Sequence, residues 1–246
     1  MRDLRILHTS DHHGVWKPQI FERLLELRKS CGLYIDTGDI GSCGNLIVPL
    51  SPEKGWKVLD ELNCTAGVPG NRDIHIFEWG LRKKLAGLGH PLLCCNLFDR
   101  ETEELVFPAS IRVEKQGASI GLVGAMLEYI PSTGKKTLGE AASRYAWKEP
   151  MQAVAAEVQK LRSACDQVFL LSHCGIQIDR QIASRIEGID AIFSGHSHRH
   201  EVKPEEIGQT IIFEAGAFGK RAGIYTLTAQ GWVVEWCPLQ DLVQKG

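Results

Sequence analysis

The sequence predicts an α/β fold with mixed sheets, and three observations carry that expectation. Short apolar runs alternate with longer amphipathic stretches over much of the 246 residues. A second set of apolar runs follows with little more than turns between them. Polar, often Gly-containing segments close nearly every run of the first set. Continuous apolar strands need cover on both faces, which outer helices supply.

The first set of strands reads RILHT (5–9), GLYID (32–36), TAGVP (65–69), QVFLL (167–171) and DAIFS (190–194). Between them, 20–29 is helical by its apolar residues at 20, 21, 24, 25 and 27, and 151–164 by those at 151, 154, 155, 158 and 161. The later runs at 108–115, 118–126, 209–215, 222–229 and 231–236 lie close together, which suggests hairpins. Two packed sheets between outer helices satisfy both patterns. There is no Pro- or Ser-rich linker and no repeat, so a single domain over 1–246 is expected. Segment 128–148 reads as a long loop able to cover a site.

Composition narrows the function classes. A net charge of −2 argues against a nucleic-acid binder, since counterion release needs clustered Lys and Arg. The only basic clusters, LRKKL (81–85) and GKK (134–136), read as solvated surface. The N-terminus has neither a signal-peptide core nor a spanning helix, so a cytoplasmic protein without membrane association is expected. Eight scattered cysteines without a C-x-x-C pair suggest reduced, mostly buried thiols.

What stands at the strand ends is chemically specific. Asp11-His12-His13-Gly14 follows the first strand, Gly38-Asp39 the second and Gly70-Asn71-Arg72-Asp73 the third. Ser172-His173 follows QVFLL, and Gly195-His196-Ser197-His198 follows DAIFS. Ligands of α/β sheets collect beyond the carboxyl ends of strands, and turn chemistry alone does not call for imidazole. Carboxylate and amide oxygens mixed with imidazole nitrogens suit Mn²⁺, Fe or Zn²⁺, and more than four ligands imply two divalent transition-metal ions. His8, His75, His90 and His200 have no motif partner and read as structural, as do Cys43 and Cys174. His12 is expected to face away from His13, in an extended segment, as a supporting or substrate-facing residue.

The order D-x-H-G, G-D, G-N-x-D, S-H and G-H-x-H resembles the calcineurin-like metallophosphoesterases from about residue 5 to 225. ILHTSDHHG, HPLLCCNLFD, SIGLVGAM, FLLSHCGIQIDRQIASRIEGIDAIFSGHSHRH and EAGAFGKRAG are similar to the catalytic domain of the 5′-nucleotidase branch. The resemblance implies a four-layer αββα sandwich. It assigns Asp11, His13 and His198 to one ion, Asn71, His173 and His196 to the other, and Asp39 to both. Two carboxylates against two divalent ions leave a positive site that attracts phosphate and acidifies a bridging water. A hydroxide between ions ~3.5–4 Å apart would then attack phosphorus in line.

Two departures limit what the resemblance implies. The family usually places His, the leaving-group acid, where this chain has Arg72, while Asp73 is retained. Arginine stays protonated in proteins and cannot act as that acid, but its planar fork can grip phosphate oxygens, steadied by an ion pair to Asp73. Asn71 and Arg72 are therefore the expected phosphate contacts, with Arg72 and Asp73 the catalytic pair. The branch's C-terminal base-gripping domain has no counterpart up to Gly246, so selection falls to the loops 41–55, 74–80 and 128–148. Phe77 and Trp79 could stack a base there, although helix packing is the plainer expectation for both. The first expectation is hydrolysis of a small phosphomonoester such as a nucleotide. A phosphodiesterase is the alternative within enzymes, and a catalytically inactive scaffold is the alternative outside them.

Overall fold

The computed structural model describes residues 3–49, 51–127, 143–199 and 203–240. In chain order these form β1 (Leu4–Thr9), α1 (Pro18–Arg28), β2 (Leu33–Asp36), α2 (Lys54–Glu61), β3 (Ala66–Gly67), α3 (Glu78–Lys84), β4 (Leu97–Asp99), β5 (Ser110–Lys115) and β6 (Ala118–Met126). They continue with β7 (Tyr145–Trp147), α4 (Pro150–Arg162), β8 (Gln167–His173), α5 (Ile176–Arg185), β9 (Ala191–Ser194), β10 (Glu205–Ile207), β11 (Thr210–Glu214), β12 (Arg221–Thr228) and β13 (Gly231–Pro238).

The strands build two large mixed sheets, ordered β13-β12-β1-β2-β3 and β10-β11-β9-β8-β6-β5, with β4 and β7 as a small third pair. In the first sheet β1, β2 and β3 run parallel, and in the second β6, β8, β9 and β11 do. The carboxyl ends of β1–β3 and of β8–β9 therefore each form one edge, and every proposed ligand stands on one of those edges or just past it.

The side-chain alternation of the strands explains why they read as continuous apolar runs. Leu4, Ile6, Leu33 and Ile35 face inward to meet Phe169, Leu171, Ala191, Phe193 and Phe213 of the second sheet in one core. Leu7, Tyr34 and Ile224 face outward, onto Ile20, Leu24 and Leu27 of α1 and Trp56 and Leu59 of α2. Val168, Leu170 and Ile192 do the same toward α4 and α5, against Val154, Val158, Ile182 and Ala183. Both faces of the central strands are dry, while the edge strands β5, β10 and β13 reach solvent, and the result is the four-layer αββα sandwich.

Three expectations need correction. The later strands are not a simple run of hairpins. β5–β6 and β12–β13 are antiparallel neighbours, but β11 and β12 lie in different sheets. Of the expected loop 128–148, residues 145–147 are β7, paired with β4; 128–142 lie outside the described residues, as do GKK (134–136) and His200. Helices α2, α3 and α5 were not anticipated from periodicity, two of them being only 8 and 7 residues long. Among the described residues no helix is long and apolar enough to cross a membrane.

His8 illustrates the inner layer. It is fully buried, edge-on to Phe193 at 5.4 Å between ring centroids, with Nε2 2.8 Å from Thr37 Oγ1. Burial, only partly offset by the charge on Asp11, lowers its pKa from 6.5 to about 3. The unfolded chain thus binds the extra proton first, so the stability tied to His8 is full above pH 6.5, declines as the pH falls toward about 3, and levels off below. Denaturant titrations across this window are expected to show His8→Gln removing up to ~1.4 kcal/mol per pH unit of the wild-type slope. An unchanged slope contradicts this.

Candidate metal centre

His173 is the last residue of β8, the other six proposed ligands stand two to four residues past a strand end, and five of those six share a feature. Asp11 (φ 52°), His13 (φ 51°), Asp39 (φ 53°), His196 (φ 70°) and His198 (φ 51°) all have left-handed backbone. Only a few per cent of non-Gly residues adopt it, Asp and His more readily than most, and it persists where surroundings over-determine it, as at binding sites. His12 is accordingly not in an extended segment: its ring stacks on Trp16 at 3.9 Å, almost wholly buried, and both ring nitrogens lack partners.

The two sheet edges touch. The His173 ring nitrogen Nδ1 lies 2.6 Å from the Thr37 carbonyl, and the backbone N–H of His196 donates to Asp11 Oδ2 at 3.0 Å. Glycine makes the approach possible: a Cβ at Gly195 would come within 2.6 Å of Ser10 Oγ and the Thr37 carbonyl. Gly70 serves a similar end, since its Cβ would meet Asp39 Oδ1 at 2.2 Å.

Asp11, His13, Asp39 and His198 bring one potential ligand atom each within 4.8 Å of one another. His198 Nε2 is 3.0 Å from Asp11 Oδ1 and 2.9 Å from His13 Nε2. On the other side, His196 Nδ1 and Asn71 Oδ1 are 3.1 Å apart, and the rings of His173 and His196 are 5.1 Å apart. Asp39 lies between the groups, with Oδ2 3.8 Å from His13 Nδ1 and Oδ1 3.6 Å from His173 Nε2.

The electrostatics fit cations. Asp11 and Asp39 are 1% and 2% exposed, and their ion-pair partners among the described residues are all histidines. Burial works against both charges, yet the surrounding imidazoles and hydrogen bonds hold both carboxyls below their ordinary pKa. Burial likewise opposes a charged His173, but Asp39 and then Asp11 drive it upward, so a proton there balances the acids. Asp11 Oδ1, His13 Nδ1 and His173 Nε2 are buried without a hydrogen-bond partner. Buried carboxylates faced only by imidazoles, with ligand atoms left without hydrogen bonds beside them, are what divalent ions would satisfy.

Arg72 and Asp73 part company. Asp73 is fully buried and accepts four backbone N–H bonds: from Asp39 (2.8 Å), Ile40 (3.1 Å), Gly41 (3.2 Å) and Gly70 (2.8 Å). Its oxygens are thus engaged in fixing the Asp39 loop to the Gly70 turn, and the expected ion pair to Arg72 is not formed. The Arg72 backbone N–H donates to Asp39 Oδ1 at 2.7 Å, while its exposed guanidinium donates to the Ser42 carbonyl at 3.3 Å.

Two further expectations reverse. Phe77 and Trp79 are 44% and 52% exposed, stacked on each other at 6.3 Å instead of packed under the helix. Lys84, within the LRKKL run read as solvated, is fully buried. Its ammonium donates to the carbonyls of Cys43 (3.0 Å), Gly44 (3.2 Å), Ile74 (3.3 Å) and Arg72. It ties the 43–44 loop to the turn bearing Asn71 and Arg72. The only signal for it in the sequence is that α3 places position 84 one turn after the buried Gly80 and Leu81. Arg82 and Lys83 remain exposed, as expected.

Comparison with known proteins agrees with this architecture. Residues 4–200 match the calcineurin-like phosphoesterase family, and the chain belongs to it. A 5′-nucleotidase of Vibrio vulnificus is 26% identical over 89% of this chain and 48% of its own length. An uncharacterized metallophosphoesterase of Bacillus subtilis is 24% identical over 92% and 50%. The chain thus spans about half the length of these curated relatives. Among solved structures, the NAD nucleotidase of Haemophilus influenzae shares the fold with a TM-score of 0.76 at 18% identity, over 95% of this chain and 55% of that one. A calcineurin-like phosphoesterase of Bacillus subtilis does so at 0.72 and 18% identity, over 96% and 91%.

Lys84→Met keeps the length and removes the charge, leaving several buried carbonyls without their donor. Urea unfolding is expected to show a loss of about 3 kcal/mol. A loss below ~1 kcal/mol means the ammonium does not hold these loops.

Proposed function

We propose that this domain hydrolyses phosphate esters, a small monoester first, at a two-ion centre. Asp11, His13 and His198 hold one ion, Asn71, His173 and His196 the other, and Asp39 both. The observation that carries this reading is Asp39, buried between two imidazole groups with one oxygen turned toward each. Family membership supports the reaction class. Mn, Fe and Zn all suit the mixed oxygen and nitrogen donors, and when bound such ions supply Lewis acidity to a phosphate and acidify water.

The chain's own residues do the rest. Asp39 is oriented by the Arg72 backbone N–H and by Asp73, which clamps the Asp39 loop. Asp73 therefore acts through position, not by proton transfer. The Arg72 guanidinium reaches solvent with one carbonyl contact, leaving most of its N–H donors free to grip phosphate oxygens as they gain charge. An arginine side chain does not serve as a general acid, so the departing oxygen receives no proton from this position. Esters whose alcohol leaves readily as an anion are then favoured.

The test is hydrolysis by the Mn²⁺-loaded protein of p-nitrophenyl phosphate, its bis-ester and simple alkyl phosphates. The aryl monoester is expected to lead the alkyl esters by ~10² or more, with Arg72→His narrowing the gap, because general acid catalysis supplies ~10²–10⁴. Equal aryl and alkyl rates sink the role given to Arg72. Preference for the bis-ester makes the domain a diesterase, and no hydrolysis of any ester refutes the activity.

A further inference from the structure

A cleft of roughly 480 Å³ opens beside the candidate centre, lined among others by Gly14, Trp16, Ser42, Cys43, Ile47 and Val48. Two of its walls belong to the site. Gly14 follows the proposed ligand His13, and its backbone N–H donates to Ile40, next to Asp39, at 2.9 Å. Ser42 supplies the carbonyl that receives the Arg72 guanidinium at 3.3 Å. The site end of the cleft is therefore flanked by the residue after one ligand and by the anchor of the arginine assigned to phosphate.

The lining says what the cleft would take. Ile47 and Val48 are 57% and 58% exposed, a solvent-facing apolar pair with no core to join. Trp16 adds an aromatic wall and is itself stacked on His12 at 3.9 Å. The charged residues in the lining, Glu53 and Lys54, are one of each sign. The wall is also pinned: buried Lys84 donates to the carbonyls of Cys43 (3.0 Å) and Gly44 (3.2 Å), and the Ile76 N–H to that of Asn45 (3.2 Å). A volume of this size has room for a ring with substituents, and burying apolar surface against Trp16, Ile47 and Val48 is favourable.

We infer that the cleft between Trp16 and Ile47–Val48 binds the alcohol portion of the phosphate ester, and that this portion is uncharged and aryl or otherwise apolar. The inference rests on the proposed phosphate site and adds the substrate class. It agrees with Arg72, since aryl oxygens leave with little need of a proton. Phosphate at the ions and a ring in the cleft would be bound together, so affinity for the whole exceeds that for the phosphoryl end alone.

Binding tests this without turnover. Calorimetry on the Mn²⁺-loaded full chain compares phenylphosphonate with methylphosphonate, in the wild type and in an Ile47→Asn/Val48→Asn variant whose changes fall on exposed side chains. Wild type is expected to bind phenylphosphonate at least fivefold more tightly, the variant to reduce that preference to within twofold, and methylphosphonate affinity to stay unchanged. Equal wild-type affinities, a preference that survives in the variant, or no binding of either phosphonate overturns the inference. A preference present in a protein that hydrolyses no ester leaves the cleft standing and removes the activity. Hydrolysis with equal affinities does the reverse.

Discussion

Asp11 and Asp39 lie almost wholly out of water with imidazoles as their only ionic partners among the described residues, and much of the structure serves that arrangement. Burying two carboxylates is costly unless opposite charge is close and hydrogen bonds fill their lone pairs. The chain meets part of that demand itself: Ser10 and the His196 backbone on Asp11, the Arg72 backbone on Asp39. What remains is orphaned ligand atoms around two acids, which is a demand for cations. Asp73, whose four N–H bonds clamp the Asp39 loop, and Lys84, whose ammonium pins the neighbouring one, make the site rigid before any ion arrives.

The sandwich is what brings these groups together. The proposed ligands past β1, β2 and β3 come from one sheet and the histidines at the end of β8 and past β9 from the other, so neither sheet alone carries the proposed set. The inner core of Ile6, Ile35, Phe169, Phe193 and Phe213 holds the sheets face to face, and the small residue Gly195 lets their ends meet. A centre shared between layers links metal binding to the packing of both.

How legible this was in the sequence depended on period and length. The parallel strands 5–9, 32–36, 167–171 and 190–194 were readable because both of their faces are dry, and the strand-end Asp, Asn and His residues because imidazole has no turn role there. Helix α3, at 7 residues, is too short to show a period, and α2 carries its buried Trp56 and Leu59 on only 8 residues. β11 and β12 were misjoined because proximity in sequence cannot tell a hairpin from a crossing between sheets. Lys84 was missed because a buried lysine bonded to carbonyls has no complementary acid to betray it. Phe77 and Trp79 were placed inward on hydrophobicity, yet stack on each other in solvent. The seven proposed ligand positions follow from the family resemblance of the motif order, whereas the left-handed backbone at five of them appears only in three dimensions.

The account depends most on Asp39 serving two ions at once. Metal content per chain, measured by atomic spectroscopy after equilibration with Mn²⁺ or Zn²⁺, tests that directly. Two ions per wild-type chain are expected, with Asp39→Asn weakening both together because each loses the same ligand. One ion per wild-type chain, or two whose affinities Asp39→Asn leaves unchanged, would contradict it.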